Sequence, residues 1–483
     1  MLAAGAGGDI VFAVMKLHSG TEGISVLTTI GLFFLVLFTG FHNALAALNF
    51  SSSTYSVGQA PAWVTAADVN GDGRLDLICA NYSDNTLTIL TNNGSGVFGA
   101  NATLNVGKGP TAVVAADLSN QGIVDLICAN FGGGGGNTLT VLTNNGRGIF
   151  GFKQTLTAGV GPSALAVGDF NADGKLDIVC ANTGTNGNGT TLTVFTNNGI
   201  GGLVSTPALT VGSEPLSVAV ADVNGDGKLD IVCANALGNS ISVLTNKGGA
   251  KFTTSSTIAV VGGPSCIVTA DVNGDGKPDL ITANLSANTL AVVTNNGSGG
   301  FVLSATLSLP PLGANPALPE GVTVADLNGD GRLDLISANS DNGFGGTLSI
   351  FTNSASFKYG SNTIATVGTF PFCVIAADIN ADGKPDLISA NQNAASLTVL
   401  KNTNSFPVSV STPNLNLKIQ SNNINASWPS LSPGWSLQEN TDLAKSIWLP
   451  SGYRGFPFND DGTNKTLSLP SNSGIRFFRL IHP

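Results

Sequence analysis

The nonapeptide DVNGDGRLD at residues 68–76 recurs, with small changes, seven times along the chain. Its first Asp falls at Asp68, Asp117, Asp169, Asp222, Asp271, Asp326 and Asp378, in steps of 49 to 55 residues. A period of that size marks a repeat architecture, in which each unit buries its faces only against its neighbours. No helical period runs through the region. Each unit instead carries four short apolar or alternating runs, in the first unit about 62–67, 75–80, 86–92 and 101–106, bounded by Gly, Asn and Pro. Asn93-Gly94, Asn145-Gly146, Asn198-Gly199 and Asn296-Gly297 predict hairpins closed by tight primed turns, which need positive φ. Seven four-stranded units predict an all-β chain whose main body is a seven-bladed β-propeller.

The nonapeptide itself points to a hard cation. Asp68, Asn70, Asp72 and Asp76 set oxygen side chains at positions 1, 3, 5 and 9, and Arg74 at position 7 offers its backbone carbonyl. The same five positions are Asp169, Asn171, Asp173, Lys175 and Asp177 in the third unit, and Asp222, Asn224, Asp226, Lys228 and Asp230 in the fourth. They are Asp271, Asn273, Asp275, Lys277 and Asp279 in the fifth, and Asp326, Asn328, Asp330, Arg332 and Asp334 in the sixth. The seventh has Asp378, Asn380, Asp382, Lys384 and Asp386. Calcium takes six to eight oxygens, and a glycine at position 6, such as Gly73, gives the bend that gathers them. Six calcium sites are therefore expected. The unit at 117–125 reads DLSNQGIVD, with Ser119 and Gln121 in place of oxygen ligands, and is expected to be empty or weak. Turn-making alone explains Asp, Asn and Gly, but not three mutually repelling carboxylates in nine residues, six times in register. Magnesium fits less well because it keeps more of its water. An EF-hand needs Glu at position 12, where this chain has Cys79, and helical flanks.

Phe98-Gly99 followed by Gly109-Pro110, and Phe150-Gly151 followed by Gly161-Pro162, together with the Asp-rich loops, resemble the FG-GAP/VCBS repeat family, to which the integrin α-subunit head belongs. The resemblance covers residues 47–406 and implies a propeller with calcium loops on one face. Later units lose the Gly after Phe, at Phe252 and Phe301. Ring closure is assigned to residues 50–58, which look like the last strand of a unit without its predecessors; the rival segment is 406–412.

The flanks read differently. Residues 1–46 contain an uncharged apolar run, Ile24–Phe41, after Lys16 and before Ala44-Leu45-Ala46, the pattern of a cleaved signal peptide; Met15 makes a better start than Met1. An uncleaved membrane anchor is the alternative. Residues 407–414 read as a linker, and 415–483, which hold Trp428, Trp435 and Trp448, as a small β-sandwich. The expected locale is secreted or cell-surface, with membrane association only through targeting or anchoring.

Twenty of the chain's 30 acidic residues sit in the seven loops, so the net charge of −10 reflects metal sites more than a general acidic surface. No basic cluster suits nucleic acid. The three histidines, His18, His42 and His482, all lie outside the repeats, which removes triad and His-zinc chemistry there. Glu214 and Glu320 are expected as solvated turn residues. The six cysteines recur at equivalent positions in separate units and are expected as buried free thiols. Function is placed on the turns between second and third strands, Tyr82–Asn85, Phe131–Asn137, Thr183–Thr190, Ala236–Asn239, Leu285–Asn288, Ser340–Gly346 and Gln392–Ala395, where Tyr82, Phe131 and Phe344 can stack on a ligand. The expected function is that of a monomeric adhesion or ligand-binding protein with a surface protein or polysaccharide as partner. The alternative is a carbohydrate-active enzyme.

Overall fold

The computed structural model describes residues 48–404 and 406, apart from 200–201, 312–314, 344, 355–358 and 361–362, and then seven short strands between 416 and 481. Residues 49–408 form one compact unit. Its first blade consists of Pro61–Ala67, Asp76–Asn81, Thr86–Asn92 and Phe98–Asn105, hydrogen-bonded in that order and antiparallel throughout. Six further sheets of the same plan follow. Each innermost strand packs against those of both neighbouring blades, including Pro61–Ala67 against Pro371–Ala377, so the ring is closed. The fold is a seven-bladed β-propeller.

The sequence of the second strands explains why blades must be neighbours. In Asp76–Asn81, DLICAN, every residue is buried. Alternate side chains leave a strand on opposite faces. Leu77 and Cys79 accordingly pack with Ile388, Leu397 and Val399 of the seventh blade, while Ile78 and Ala80 pack with Val113 and Leu126 of the second. A strand covered on both faces needs an unbroken apolar run, whereas the outermost strand Phe98–Asn105 alternates in exposure.

Closure follows the assignment to residues 50–58. Phe50–Ser56 pairs antiparallel with Ser396–Asn402, from Phe50 opposite Asn402 to Ser56 opposite Ser396, as the fourth strand of the seventh blade. Tyr55 on this strand meets Phe98 of the first blade edge to face, ring centroids 5.4 Å apart. Of the rival segment 406–412, only Phe406 is among the described residues.

Two local expectations need correction. The outer strand begins at Phe98, not near 101, because a bulge between Ile89 and Leu90 lets Phe98 pair with Asn92. The Asn-Gly hairpins are not two-residue primed turns either. Residues 93–97 form a five-residue tip closed by the Asn93 N–H on the Val97 carbonyl (3.0 Å), with positive φ at Gly94 and Gly96 but not at Asn93. The Asn93 side chain instead accepts the Ser95 N–H at 2.9 Å, a local turn bond.

All six cysteines are free and buried. Beyond residue 415, the seven strands form a four-stranded and a three-stranded antiparallel sheet. The signal-peptide and linker assignments lie outside the described residues.

Candidate functional site

Strand direction sorts the connections into two faces. Because Pro61 lies opposite Asn81 and Ala67 opposite Asp76, the repeat loops emerge at one end of the blades and the second-to-third-strand turns at the other. The distance between them is the length of a seven-residue strand, roughly 20 Å.

Each loop is wrapped around its first carboxylate. Asp68 Oδ1 accepts the N–H groups of Gly71 (2.7 Å) and Asp72 (3.2 Å), and Oδ2 accepts that of Gly73 (2.8 Å). The fourth-unit loop repeats this at 2.8, 3.1 and 2.7 Å around Asp222. Positions 3 and 5 each hold the backbone two residues on: Asn70 Oδ1 accepts Asp72 N–H at 2.9 Å, and Asp72 Oδ1 accepts Arg74 N–H at 3.0 Å. Positive φ at Gly73 (81°) is what the bend requires.

Position 9 is different in kind. Asp76 is fully buried, with one oxygen accepting Val69 N–H (3.2 Å) and the other accepting Asn92 N–H (2.8 Å). Burial pushes these carboxyls up despite the bonds that hold the charged form: Asp279 and Asp386 to about 6 and Asp334 to about 7. Asn92 then donates to the Ile379 carbonyl of the preceding blade's loop at 2.6 Å. The same side chain in every blade makes the same bridge: Asn144 to Val69, Asn197 to Leu118, Asn246 to Phe170, Asn295 to Val223, Asn353 to Val272 and Asn402 to Leu327. The loops are thus tied round the ring. This asparagine is legible as the first Asn of each LTNN-like run, but its partner, a carbonyl 72 to 81 residues away, or 287 across the ring closure, is not.

A second feature missed from sequence is the side chain at position 7. In all six intact loops the Lys or Arg pairs with the carboxylate at position 5, at 3.1 to 3.9 Å. The signal was there: the one loop with a neutral position 5, Gln121, also has a neutral position 7, Ile123. The Arg74 chain lies across the hairpin tip, where a Cβ on Gly94 would sit 2.7 Å from its Nε.

All thirty residues expected as ligands therefore fall in the six loops, on one face. The donor set of carboxylate, amide and carboxylate oxygens suits a hard cation. Among the described residues, however, no three Asp, Glu, His or Cys side chains already converge on one point. In this arrangement the position 3 and 5 oxygens bond the backbone two residues on, and position 5 also pairs with the Lys or Arg at position 7.

The opposite face surrounds the mouth of a central cavity of about 600 Å³, lined by the innermost strands. The seven turns there run over the residues expected, four to eight in length. Tyr82, Phe131, Leu285 and Gln392 reach the cavity, and the Tyr82 and Phe131 rings lie 6.4 Å apart. Phe344 is outside the described residues. Glu320 also lines the cavity, half-buried, with its carboxyl pushed up to about 7 by burial. Glu214 is half-buried too, in a left-handed conformation (φ 55°), with its carboxyl raised by burial. Neither is fully solvated as expected: Glu320 lines the channel, and the Glu214 carboxyl at its turn lies against Gly187 and accepts from the Leu237 backbone.

Solved structures with this arrangement include BBS1N in complex with ARL6DN, in crystals soaked with lead and with mercury. At 14% identity they superpose with TM-scores of 0.53 and 0.52, covering 76% and 75% of this chain and 98% of theirs. A functionally unknown protein from Desulfotomaculum acetoxidans is also similar, at 15% identity over 65% of this chain and 90% of its own, with a TM-score of 0.47. Likeness at such identity speaks to the fold alone. The sequence matches none of the curated proteins. The FG-GAP-like repeat model matches six times, at residues 68–128, 117–180, 169–233, 222–282, 271–337 and 326–389, each match running from one loop into the second strand of the next blade. Loops, blades and repeat model coincide along the ring, and the chain belongs to the FG-GAP-like repeat family.

Proposed function

We propose that this is an exported, monomeric binding protein whose loop face carries six calcium ions and whose turn face recognises a polysaccharide or a surface protein. The observation that carries the reading is the contrast within each blade: seven wholly buried, near-identical second strands end in seven turns that differ in length and chemistry around one channel mouth. A rigid scaffold with variable turns is where recognition residues concentrate. Tyr82 and Phe131 offer paired aromatic faces there. The BBS1N structure, a propeller-like relative in fold, was solved bound to another protein, which agrees with such a use without naming a partner.

In each intact loop, positions 1, 3, 5 and 9 and the position 7 carbonyl would hold calcium. When bound, the ion neutralises three carboxylates that otherwise repel one another. The loop's own residues supply the backbone cage, and Asp76 and its equivalents pass the loop's position to the neighbouring blade through Asn92 and its counterparts.

The test is retention of the exported chain on polysaccharides and surface proteins, in calcium and in chelator, below the chelated protein's melting temperature. Selective retention that Y82A/F131A lowers about tenfold or more, and that chelation leaves in place, is expected, since roughly 20 Å of strand separates the faces. No retention, or release of shortened sugars, sinks the binding reading.

A further inference from the structure

The central channel has a chemistry of its own. Hydroxyls occur in its lining, and the ring uses four of them, leaving those of Thr269 and Thr323 and the Gln392 amide on the wall. Thr111, Ser163 and Ser265 donate to the carbonyls of Pro162, Pro215 and Pro319 in the next blade, at 3.0, 2.9 and 3.0 Å. Ser217 Oγ accepts the Ile267 N–H at 3.2 Å. Most of what remains to meet a guest is apolar, from Trp63, Leu216, Val268 and Phe372, with the Tyr82 and Phe131 rings at the mouth. One carboxylate, Glu320, interrupts that wall, and no Lys, Arg or His shares the lining. Among the described residues its hydrogen-bonding partner is the Ser340 hydroxyl, which also faces the Leu318 carbonyl at 3.2 Å.

Such a cavity discriminates among small molecules. A sugar would leave most of its hydroxyls unpaired against a largely apolar wall, which is costly. An anion would meet Glu320 with the wrong sign. A neutral hydrocarbon would satisfy the wall but leave a carboxylate buried without a counter-charge. A cation on an apolar body satisfies wall, carboxylate and aromatic faces together.

We propose that the channel is a binding site for a small organic cation, an ammonium carrying an apolar body, with Glu320 as its counter-ion. The site shares the Tyr82 and Phe131 rings with the turn face, but its counter-ion Glu320 is its own, so it stands whether or not that face binds a polymer. Burial pushes the Glu320 carboxyl up to about 7, and a bound cation would lower it again.

The experiment is calorimetric titration of the full chain at about pH 8, where the carboxyl is ionised, with 3-phenylpropylamine and with 3-phenylpropan-1-ol, which matches it in size without the charge. Saturable single-site binding of the amine is expected, about tenfold or more tighter than the alcohol, because a bond to a charged group in an apolar site is lost. E320Q should weaken the amine to the level of the alcohol, while its melting temperature reports that the ring is intact. The proposal is overturned if the amine does not saturate, if amine and alcohol bind equally, or if a folded E320Q binds the amine as the unmodified protein does. The amine–alcohol comparison needs no variant, so a misfolded E320Q does not rescue the idea.

Discussion

The loop at 117–125 and the loop at 222–230 have the same backbone and different chemistry. Asp117 accepts the N–H groups of Ser119 (3.2 Å) and Gln121 (3.1 Å) as well as that of Gly122, much as Asp222 cages its own loop. Asp125 holds the Asn144 N–H at 2.9 Å, as Asp230 holds that of Asn246 at 2.7 Å. Gly122 and Gly227 bend alike, at φ 77° and 80°. Yet Ser119, Gln121 and Ile123 stand where the fourth unit has Asn224, Asp226 and Lys228. Positions 1, 6 and 9 therefore build the loop, and positions 3, 5 and 7 set its charge. The shape survives without the charged set, so the charged set serves something other than shape.

If that something is calcium, chelation gives the largest effect. A site held at a hundred times its dissociation constant adds about 2.7 kcal/mol to stability, so removing six ions should outweigh any single substitution. The melting temperature should fall by well over ten degrees in chelator, and equilibrium dialysis should find six ions per chain, not seven. S119N/Q121D should raise the count to seven by restoring the missing donors. A melting temperature indifferent to chelator, with no bound ion, would reduce the loops to turns.

Next in size are the building positions, where intact and degenerate loops should behave alike. D230A strands the Asn246 N–H (2.7 Å) and the Val223 N–H (3.2 Å), and D125A strands the Asn144 N–H. Leaving buried donors unpaired costs about 1–3 kcal/mol each. Both variants should melt markedly lower even in chelator. A D125A protein as stable as the unmodified chain while D230A collapses would mean that position 9 acts through the metal alone.

A smaller effect separates loops by position 4. Most carry Gly there, as at Gly71 and Gly225 (φ 78° and 73°), but Ala172 and Ala381 hold the same left-handed conformation at φ 61° and 57°. An L-residue pays roughly 1–2 kcal/mol for it, offset in part by glycine's greater freedom when unfolded. A172G and A381G should each raise the melting temperature slightly, and together additively, since the two loops lie in different blades. Unchanged melting would show that the loops relax around the alanines.

How much of this the sequence shows depends on the range of the interaction. Seven registers of DLICAN-like runs announce blades because burial on both faces demands an unbroken apolar strand. The closing strand was legible in FSSSTYS because an outer strand lacked its predecessors. Turn bounds came through since Asn and Gly punctuate them. The inter-blade bridge from Asn92 to Ile379 was hidden, because the residue is local and its carbonyl partner is 287 positions away. Glu320 was misjudged for the same reason. Its neighbours in sequence make a turn-like PEG, while in space it lines one cavity together with the innermost strands of the other blades.

The finest distinction between the two loops lies at position 7. Lys228 Nζ is 3.1 Å from Asp226 Oδ2, with both side chains about two-fifths exposed. Slight desolvation of Asp226 is outweighed by the hydrogen bond and charge of Lys228, so its carboxyl lies below the usual value. Exposed pairs of this kind contribute about 0.2–1 kcal/mol, so K228M should shift the melting temperature in chelator by little. The ammonium nevertheless occupies the charge that calcium needs. A tethered cation and a dissolved one compete for the same carboxylate, and their mutual repulsion adds to the competition at low ionic strength. Replacing position 7 in all six loops (R74M, K175M, K228M, K277M, R332M and K384M) should therefore lower the calcium midpoint several-fold at low salt, with the gap closing as salt is added. If the midpoint rises instead, the position 7 side chains orient the carboxylates for the ion.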